Sequence, residues 1–446
     1  MPGNDAHPEV LMFTRRQTLA LLVAAGAVPA LASCGPNAPA GSSGGSGDAT
    51  VRIYWWGGDL RQGLTQDALD LFGEAHSDIT VKPEYSEWTG YWDKLATQTS
   101  GGDSPDLLQM DEAYIDSYGT RGALLDLETI SDVLDLSAMD AKVLDTGRLA
   151  DGTLVGAPLG IGIFSVGVNK DLLEKSGVEL PEDTAWTWEQ FHEAATAIST
   201  WGKDQGIVGL DGFGQGAAEL AAWARQAGQQ LFPREDETLV DVATIQKYLE
   251  FSASLIESGA APGPDAQIED AGAGVEQGRF GTGKSVFHFQ FHTQLQTFAS
   301  AAGATMTLRR LPAITSGDHQ MVNKASMYWS IAAKTAVAQN AGTLMSFLLT
   351  DPEAAKVLKI ERGVTAFPAV QTAIEGELDE VEKTCLDFAR DMQAEVAPAP
   401  RVTPAEGVGF GDELTRIAQD VYFGKKEAAA AAQQILTALE GMQPAQ

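Results

Sequence analysis

Apolar and polar positions divide the chain into short strand-like runs and longer helical ones. Residues 51–56 (VRIYWW) form a β-prone run stopped by Gly57-Gly58. Leu64, Ala68, Phe72 and Ala75 then recur at helical spacing and mark one apolar face. Residues 79–81 predict a second strand, 91–99 a second helix and 105–110 a buried strand. Strands alternating with helices in this way predict α/β units on a largely parallel sheet. Downstream, 161–169 reads as a long strand and Asn169 opens a helix. Thr187 and Gln190 fit a capping box that starts a further helix reaching Thr200. Pro262-Gly263-Pro264 marks an exposed loop, helices dominate from Ala338 onward, and Asp351-Pro352 begins one of them. The chain has no short internal repeat, which disfavours a solenoid or propeller.

The N-terminal residues follow a different pattern. Arg15-Arg16 precede an apolar run from Leu19 to Leu31, and Leu31-Ala32-Ser33-Cys34 follows. A basic stretch, a short apolar core and small residues before a cut describe an export signal, residues 1–33. A cysteine just after the cut matches the bacterial lipobox, so Cys34 is the expected lipidation site. The paired arginines resemble a twin-arginine signal. About 13 apolar residues are too few to span a bilayer, which needs roughly 20. Residues 34–48, mostly Gly, Ser, Ala and Pro, cannot bury a core and read as a flexible tether. The remainder is expected to work outside the cytoplasm, attached to the membrane through its N-terminal lipid.

Composition narrows the partners. A net charge of −31 excludes a nucleic-acid role, because phosphate binding needs a basic surface. It also disfavours lying flat on anionic lipid. A small or neutral ligand is therefore expected, and a phosphorylated one is not. With Cys34 assigned to the lipid, only Cys385 remains, and one thiol neither staples a fold nor builds a thiolate metal site. Cys385 is expected to face the core. His288 and His292 stand four apart in an alternating, strand-like stretch, where that spacing does not make a helical metal pair. No metal or cofactor is expected.

Gly278 to Ser285 (GRFGTGKS) matches the P-loop pattern formally. That loop needs an apolar strand before it and a helix after it. Here the preceding residues are poorly apolar and a strand-like run follows, so the segment reads as a helix-to-strand turn. Paired carboxylates of a glycosidase cannot be singled out among 61 acidic residues. The aromatic residues are more informative. Trp55, Trp56, Trp88, Tyr91, Trp92, Trp223, Tyr328 and Trp329 mostly lie near the ends of expected strands, the edge that faces a ligand crevice in α/β folds. Their faces suit the C–H faces of sugar rings, and Asp59, Asp111 and Glu112 at strand ends suit hydroxyls. Any one of these tryptophans could equally be ordinary core.

Several stretches together resemble the family 1 extracellular solute-binding proteins of carbohydrate ABC importers, a group that includes the maltodextrin-binding proteins. They are Ile53 to Gly57, Gly102 to Leu108, Tyr118 to Leu127, Gly156 to Leu173 leading into Trp186 to Phe191, Gly283 to Phe287, Ala341 to Glu353 and Glu361 to Pro368. The resemblance runs in order along nearly the whole chain after the tether. It implies a two-lobe α/β fold with an interlobe ligand cleft and crossover hinge strands. Residues 49–160 with 310–335 would form one lobe, and 161–309 with 336–446 the other. Residues 160–165 would be hinge, and 308–312 the return crossing. It implies a monomer that binds a sugar without chemistry and hands it to permease subunits. A non-sugar solute and a secreted carbohydrate-active enzyme are the alternatives. Trp56, Gly57, Asp59, Trp88, Asp111, Glu112, Tyr328 and Trp329 would contact the ligand. Where many members carry a Gly-x-Trp stacking element, this chain has Gln290-Phe291-His292, which makes Phe291 or His292 the candidate stacking ring.

Overall fold

The structure, a computed structural model, describes residues 49–444 except Gln215 and residues 274–276. The export signal, the tether and Cys34 lie outside the described residues. Among the described residues ten strands form two sheets: β1 (Ala49–Trp56), β2 (Ile79–Ser86), β3 (Leu107–Met110), β4 (Ala157–Pro158), β5 (Ile161–Asn169), β6 (Val208–Leu210), β7 (Ser285–Phe291), β8 (Met306–Arg309), β9 (Asn323–Ala325) and β10 (Tyr328–Ile331). The first sheet runs β2-β1-β3-β10-β4, and the second runs β6-β7-β5-β8 with β9 beside β5. Each sheet is the centre of one lobe.

The sheets are mixed, where alternation of elements predicts mostly parallel pairing. β1 is parallel to β2 and β3, but β10 is antiparallel to β3 and β4. β5 is antiparallel to β7, β8 and β9. The cause is the crossing of the chain between lobes. β1, β2, β3 and β7 end at the cleft, whereas β5 and β10 start at the hinge and run away from it.

Two crossings lie side by side. Only Leu159 and Gly160 separate β4 of the first sheet from β5 of the second. The return runs from β9 to β10. The Leu159 N–H donates to the Met327 carbonyl at 3.0 Å and the Ser326 N–H to the Gly160 carbonyl at 2.9 Å. The return is therefore at 325–328 and not at 308–312. Residues 310–313 stay with the second lobe, because Arg310 is tied to Asp183 and Glu395 and Ala313 exchanges backbone bonds with Trp186 and Trp188. The C-terminal boundary also differs. Helices Ala338–Thr350 and Pro352–Leu358 pack on β1, β10 and helix Asp59–Ala75 in the first lobe. The chain re-enters the second lobe at helix Glu380–Gln393, which lies on β8.

Local sequence accounts for the elements. Thr187 and Gln190 form the capping box of helix Trp188–Gly202. Asp351 accepts the amides of Glu353 and Ala354 at the start of helix Pro352–Leu358. The Gly278–Lys284 segment is a turn into β7, with Gly283 at φ 65°. Trp188 packs with Phe213, Trp223, Phe251 and Phe289 in the second-lobe core, which places Trp223 in that core. No helix among the described residues is long and apolar enough to cross a membrane.

Candidate functional site

A cavity of about 310 Å³ opens between the lobes. Its first-lobe wall holds Glu112, Ala113, Thr146 and Tyr328. Phe164 of β5 and Phe291 of β7 come from the second sheet, and Asn323 and Lys324 from the returning crossing. Helix Ala217–Gln226 turns Ala217, Ala221 and Arg225 toward it, positions four residues apart on one helical face. The two alanines leave the space. Phe232 and residues 400–403 complete the wall.

Aromatic surface and polar groups meet here. The Phe164 and Phe291 rings sit edge to face at 5.5 Å, and the Lys324 ammonium lies over the Phe291 ring, 5.4 Å from its centre. Lys324 also stands 3.5 Å from the Glu112 carboxylate. The Tyr328 hydroxyl donates to the Thr146 carbonyl at 2.8 Å, and the residue is fully buried in the first-lobe wall. Asn323 is 1% exposed, and neither its amide nitrogen nor its amide oxygen has a protein partner. A buried amide without partners is costly, and such groups are normally satisfied.

The expected site residues divide into three sets. Glu112, Phe291 and Tyr328 come together around the cavity. Asp111 stands beside them as the cap of helix Glu112–Thr120, accepting the Ala113 amide at 2.9 Å. Burial raises its carboxyl pKa, against that bond and the nearby Lys324. Trp56 and Trp88 belong to an aromatic cluster at the cleft end of the first sheet, with ring centres 5.1 Å apart, and Trp88 is 43% exposed. Gly57 lies in the turn after β1, and Asp59 opens helix Asp59–Ala75. Gly57, at φ 152°, leaves room for Arg61, which bonds the Trp56 carbonyl and Glu361.

His292 and Trp329 are interior residues, which corrects the expectation that they contact ligand. His292 is fully buried, and its Nδ1 accepts the Ile163 amide at 2.9 Å. Burial pulls the imidazole down to about 3, so the ring is neutral. It buttresses the start of β5, and of the two only Phe291 lines the cavity. Trp329 alternates with Tyr328 along β10, so it points to the opposite face of the sheet, where it lies under the Arg362 guanidinium. Cys385 is buried as expected, donates to the His292 carbonyl, and has its thiol pushed up to about 12 by burial.

Asn323, Lys324, Phe164, Phe232, Arg225 and Arg401 escaped the reading of the sequence. They come from five separate segments, so no spacing links them.

The chain matches the sequence profile of the bacterial extracellular solute-binding proteins over residues 67–383. It belongs to that family. The diacetylchitobiose binding protein of Streptomyces coelicolor is 26% identical to it over 174 residues, 38% of this chain and 40% of that protein. The match thus spans about two-fifths of that relative's length. The periplasmic solute binding protein of Pectobacterium atrosepticum superposes with a TM-score of 0.77 at 23% identity, covering 88% of this chain and 98% of that one. A periplasmic oligogalacturonide binding protein of Yersinia enterocolitica, solved with saturated digalacturonic acid, superposes with a TM-score of 0.72 at 21% identity, covering 89% and 100%. These superpositions establish the two-lobe fold of a solute-binding protein, with an interlobe cleft and crossover strands at the hinge.

Proposed function

We propose that this solute-binding protein captures a carbohydrate between its lobes and delivers it, as a monomer, to the permease subunits of an ABC importer. The observation that carries this reading is Asn323. The residue lies in the wall of a cavity formed by Phe164, Phe291, Phe232 and Tyr328, and its amide, buried just behind that wall, has no protein partner. Aromatic faces beside amide hydrogen-bonding groups match the two chemistries of a sugar, its C–H faces and its hydroxyls. The relative named for diacetylchitobiose supports the same ligand class. Trp88, exposed at the cleft end of the first sheet, would extend the site for a longer saccharide.

The mechanism is binding coupled to closure. A ligand touching both walls favours the closed arrangement by as much as it binds that arrangement better. Lipid on Cys34 would hold the protein near its permease and raise the effective concentration of the encounter. The test is a thermal-shift panel of mono- and oligosaccharides, followed by calorimetry with Asn323→Ala. At least one sugar should raise the Tm, and the variant should bind it roughly tenfold more weakly. If no sugar moved the Tm, the carbohydrate reading would fall. For the anchor, Cys34→Ala should move the protein from the membrane fraction to the medium. Equal partition of the two forms would remove Cys34 from that role.

A further inference from the structure

The walls of the cleft cavity run against the charge of the protein as a whole. The chain carries −31, yet the side chains lining the cavity include Arg225, Lys324 and Arg401 against a single acid, Glu112. Lys324 is answered by Glu112 at 3.5 Å. Arg401 lies close enough to Asp116, behind the wall, to lower that carboxyl's pKa, which burial raises. Arg225 is different. Its one hydrogen bond is a long one, 3.5 Å from Nε to the Gln320 carbonyl. Among the described residues no carboxylate forms an ion pair with it, whereas Arg61, Arg279, Arg310 and Arg362 each have one.

A part-buried guanidinium in a cavity wall without an anion keeps its donors open to a ligand, in surroundings that solvate the charge less well than water does. Burial pulls this guanidinium down to about 10, and no neighbouring charge opposes the shift. The group still titrates far above neutral pH, so it carries its full charge in the cavity. A planar fork of donors is matched by a carboxylate, which takes two parallel hydrogen bonds from it. The charge left over is one unit, and Glu112 in the facing wall repels a second negative charge. That balance fits a singly charged carboxylate better than a phosphate dianion.

We infer that the cleft takes an acidic saccharide, with Arg225 receiving the carboxylate of a uronic acid residue while Asn323 and the aromatic walls hold its hydroxyls and ring faces. This rests on the carbohydrate reading and narrows it. It also reverses what overall charge alone implies. The surface repels anions at long range, but beyond about 8 Å at physiological salt that repulsion is screened, and the cavity wall decides the affinity. Arg225 thereby determines which class of sugar is retained.

The experiment is calorimetry on the mature protein at fixed ionic strength with matched pairs that differ in the C6 group. The pairs are digalacturonate against galactobiose, and glucuronate disaccharides against their glucose counterparts. In the wild type at least one acidic sugar should bind roughly 10- to 100-fold tighter than its neutral partner, the range of a charge-assisted hydrogen-bonded pair. Arg225→Gln should weaken the acidic sugar far more than the neutral one and so remove that preference, with Arg225→Lys in between. A Tm for each variant within a few degrees of wild type keeps the comparison one of binding. Equal or tighter binding of the neutral sugars would overturn the inference and leave the carbohydrate reading standing. Equal weakening of both sugars by Arg225→Gln would make Arg225 a scaffold residue. Tighter binding of sulfated or phosphorylated sugars would overturn the carboxylate. Failure of every sugar to bind would remove the carbohydrate reading itself.

Discussion

The Glu112 carboxylate accepts the backbone amide of Thr403 at 2.6 Å, joining the two lobes across the mouth of the cleft. Thr403 belongs to the segment that links helices Glu380–Gln393 and Phe410–Tyr422 of the second lobe. One helical turn farther along helix Glu112–Thr120, Asp116 accepts the Ala405 amide at 3.2 Å. Two carboxylates on one helix face thus hold two amides spaced two residues apart. These bonds exist only while the lobes are together.

Loss of this clasp should therefore weaken ligand retention. Asp116 does not line the cavity, so Asp116→Asn tests the clasp apart from ligand contact. A charge-assisted bond of this kind contributes about 1–2 kcal/mol when partly buried. Ligand affinity should fall roughly 5- to 20-fold by calorimetry. In solution scattering, the unliganded variant should show a larger radius of gyration than wild type. An affinity equal to wild type would make the clasp incidental to closure.

The clasp also shows what the sequence reveals and what it hides. Strands such as 51–56 and 161–169 and the Thr187 capping box are local patterns, and they stand where periodicity and capping chemistry put them. Strand direction is not local. Nothing in residues 328–331 says that the strand arrives from the other lobe and so pairs antiparallel with β3. Facing is similarly lost when the register is unknown. Tyr328 and Trp329 are equally plausible ligand contacts by type, yet adjacent strand residues point to opposite faces and only one can reach the cleft. Arg225 is invisible for a third reason. An arginine in a helix reads as a solvated surface charge until the chain folds a cavity over it.

That difference of facing separates two substitutions. Trp329 is 2% exposed and packed under Arg362 inside the first lobe. Trp329→Ala should cost about 3–5 kcal/mol of stability, read as a large fall in denaturation midpoint. Phe291 is only partly buried and its ring lines the cavity. Phe291→Ala should leave the midpoint near wild type and lower sugar affinity by roughly tenfold or more. A reversal, with Phe291→Ala unfolding and Trp329→Ala losing only ligand, would contradict the assignment of faces.

His292 makes stability fall in mild acid. Its imidazole titrates at about 3 in the fold because burial disfavours the charged ring, against 6.5 when exposed. The unfolded chain thus binds the proton more tightly. The stabilising contribution is complete above pH 6.5 and shrinks as pH falls from 6.5 toward 3, a loss of about 2 kcal/mol by pH 5. His288 shifts the other way: burial lowers it, but the ion pair with Asp211 prevails and raises it. The informative quantity is therefore the difference between wild type and His292→Asn, whose amide oxygen can still accept the Ile163 N–H without titrating. The variant should lose less stability than wild type between pH 7 and pH 5 in chemical denaturation. Parallel losses in both proteins would show that His292 protonation is not the cause.

The hinge supplies a last test, because it is packed backbone against backbone. A Cβ at Gly160 would lie 2.7 Å from the Gly363 carbonyl carbon and 2.9 Å from its Cα. Neither atom can rotate away as a side chain could, so Gly160→Ala must push the outgoing crossing off the Gly363 backbone that packs against it. The expected cost is about 1–3 kcal/mol, and the displaced hinge backbone should shift the balance between open and closed forms. Gly162 is the control. A Cβ there would meet the Phe291 ring at 3.3 Å, a side chain able to tilt. Gly162→Ala should therefore keep its melting temperature within a few degrees and change sugar affinity through the stacking ring. Gly160→Ala should melt well below wild type and show an altered radius of gyration with and without sugar. A Gly160→Ala protein that melted and closed like wild type would mean that the contact between Gly160 and Gly363 has slack, and that the pivot lies elsewhere along the chain.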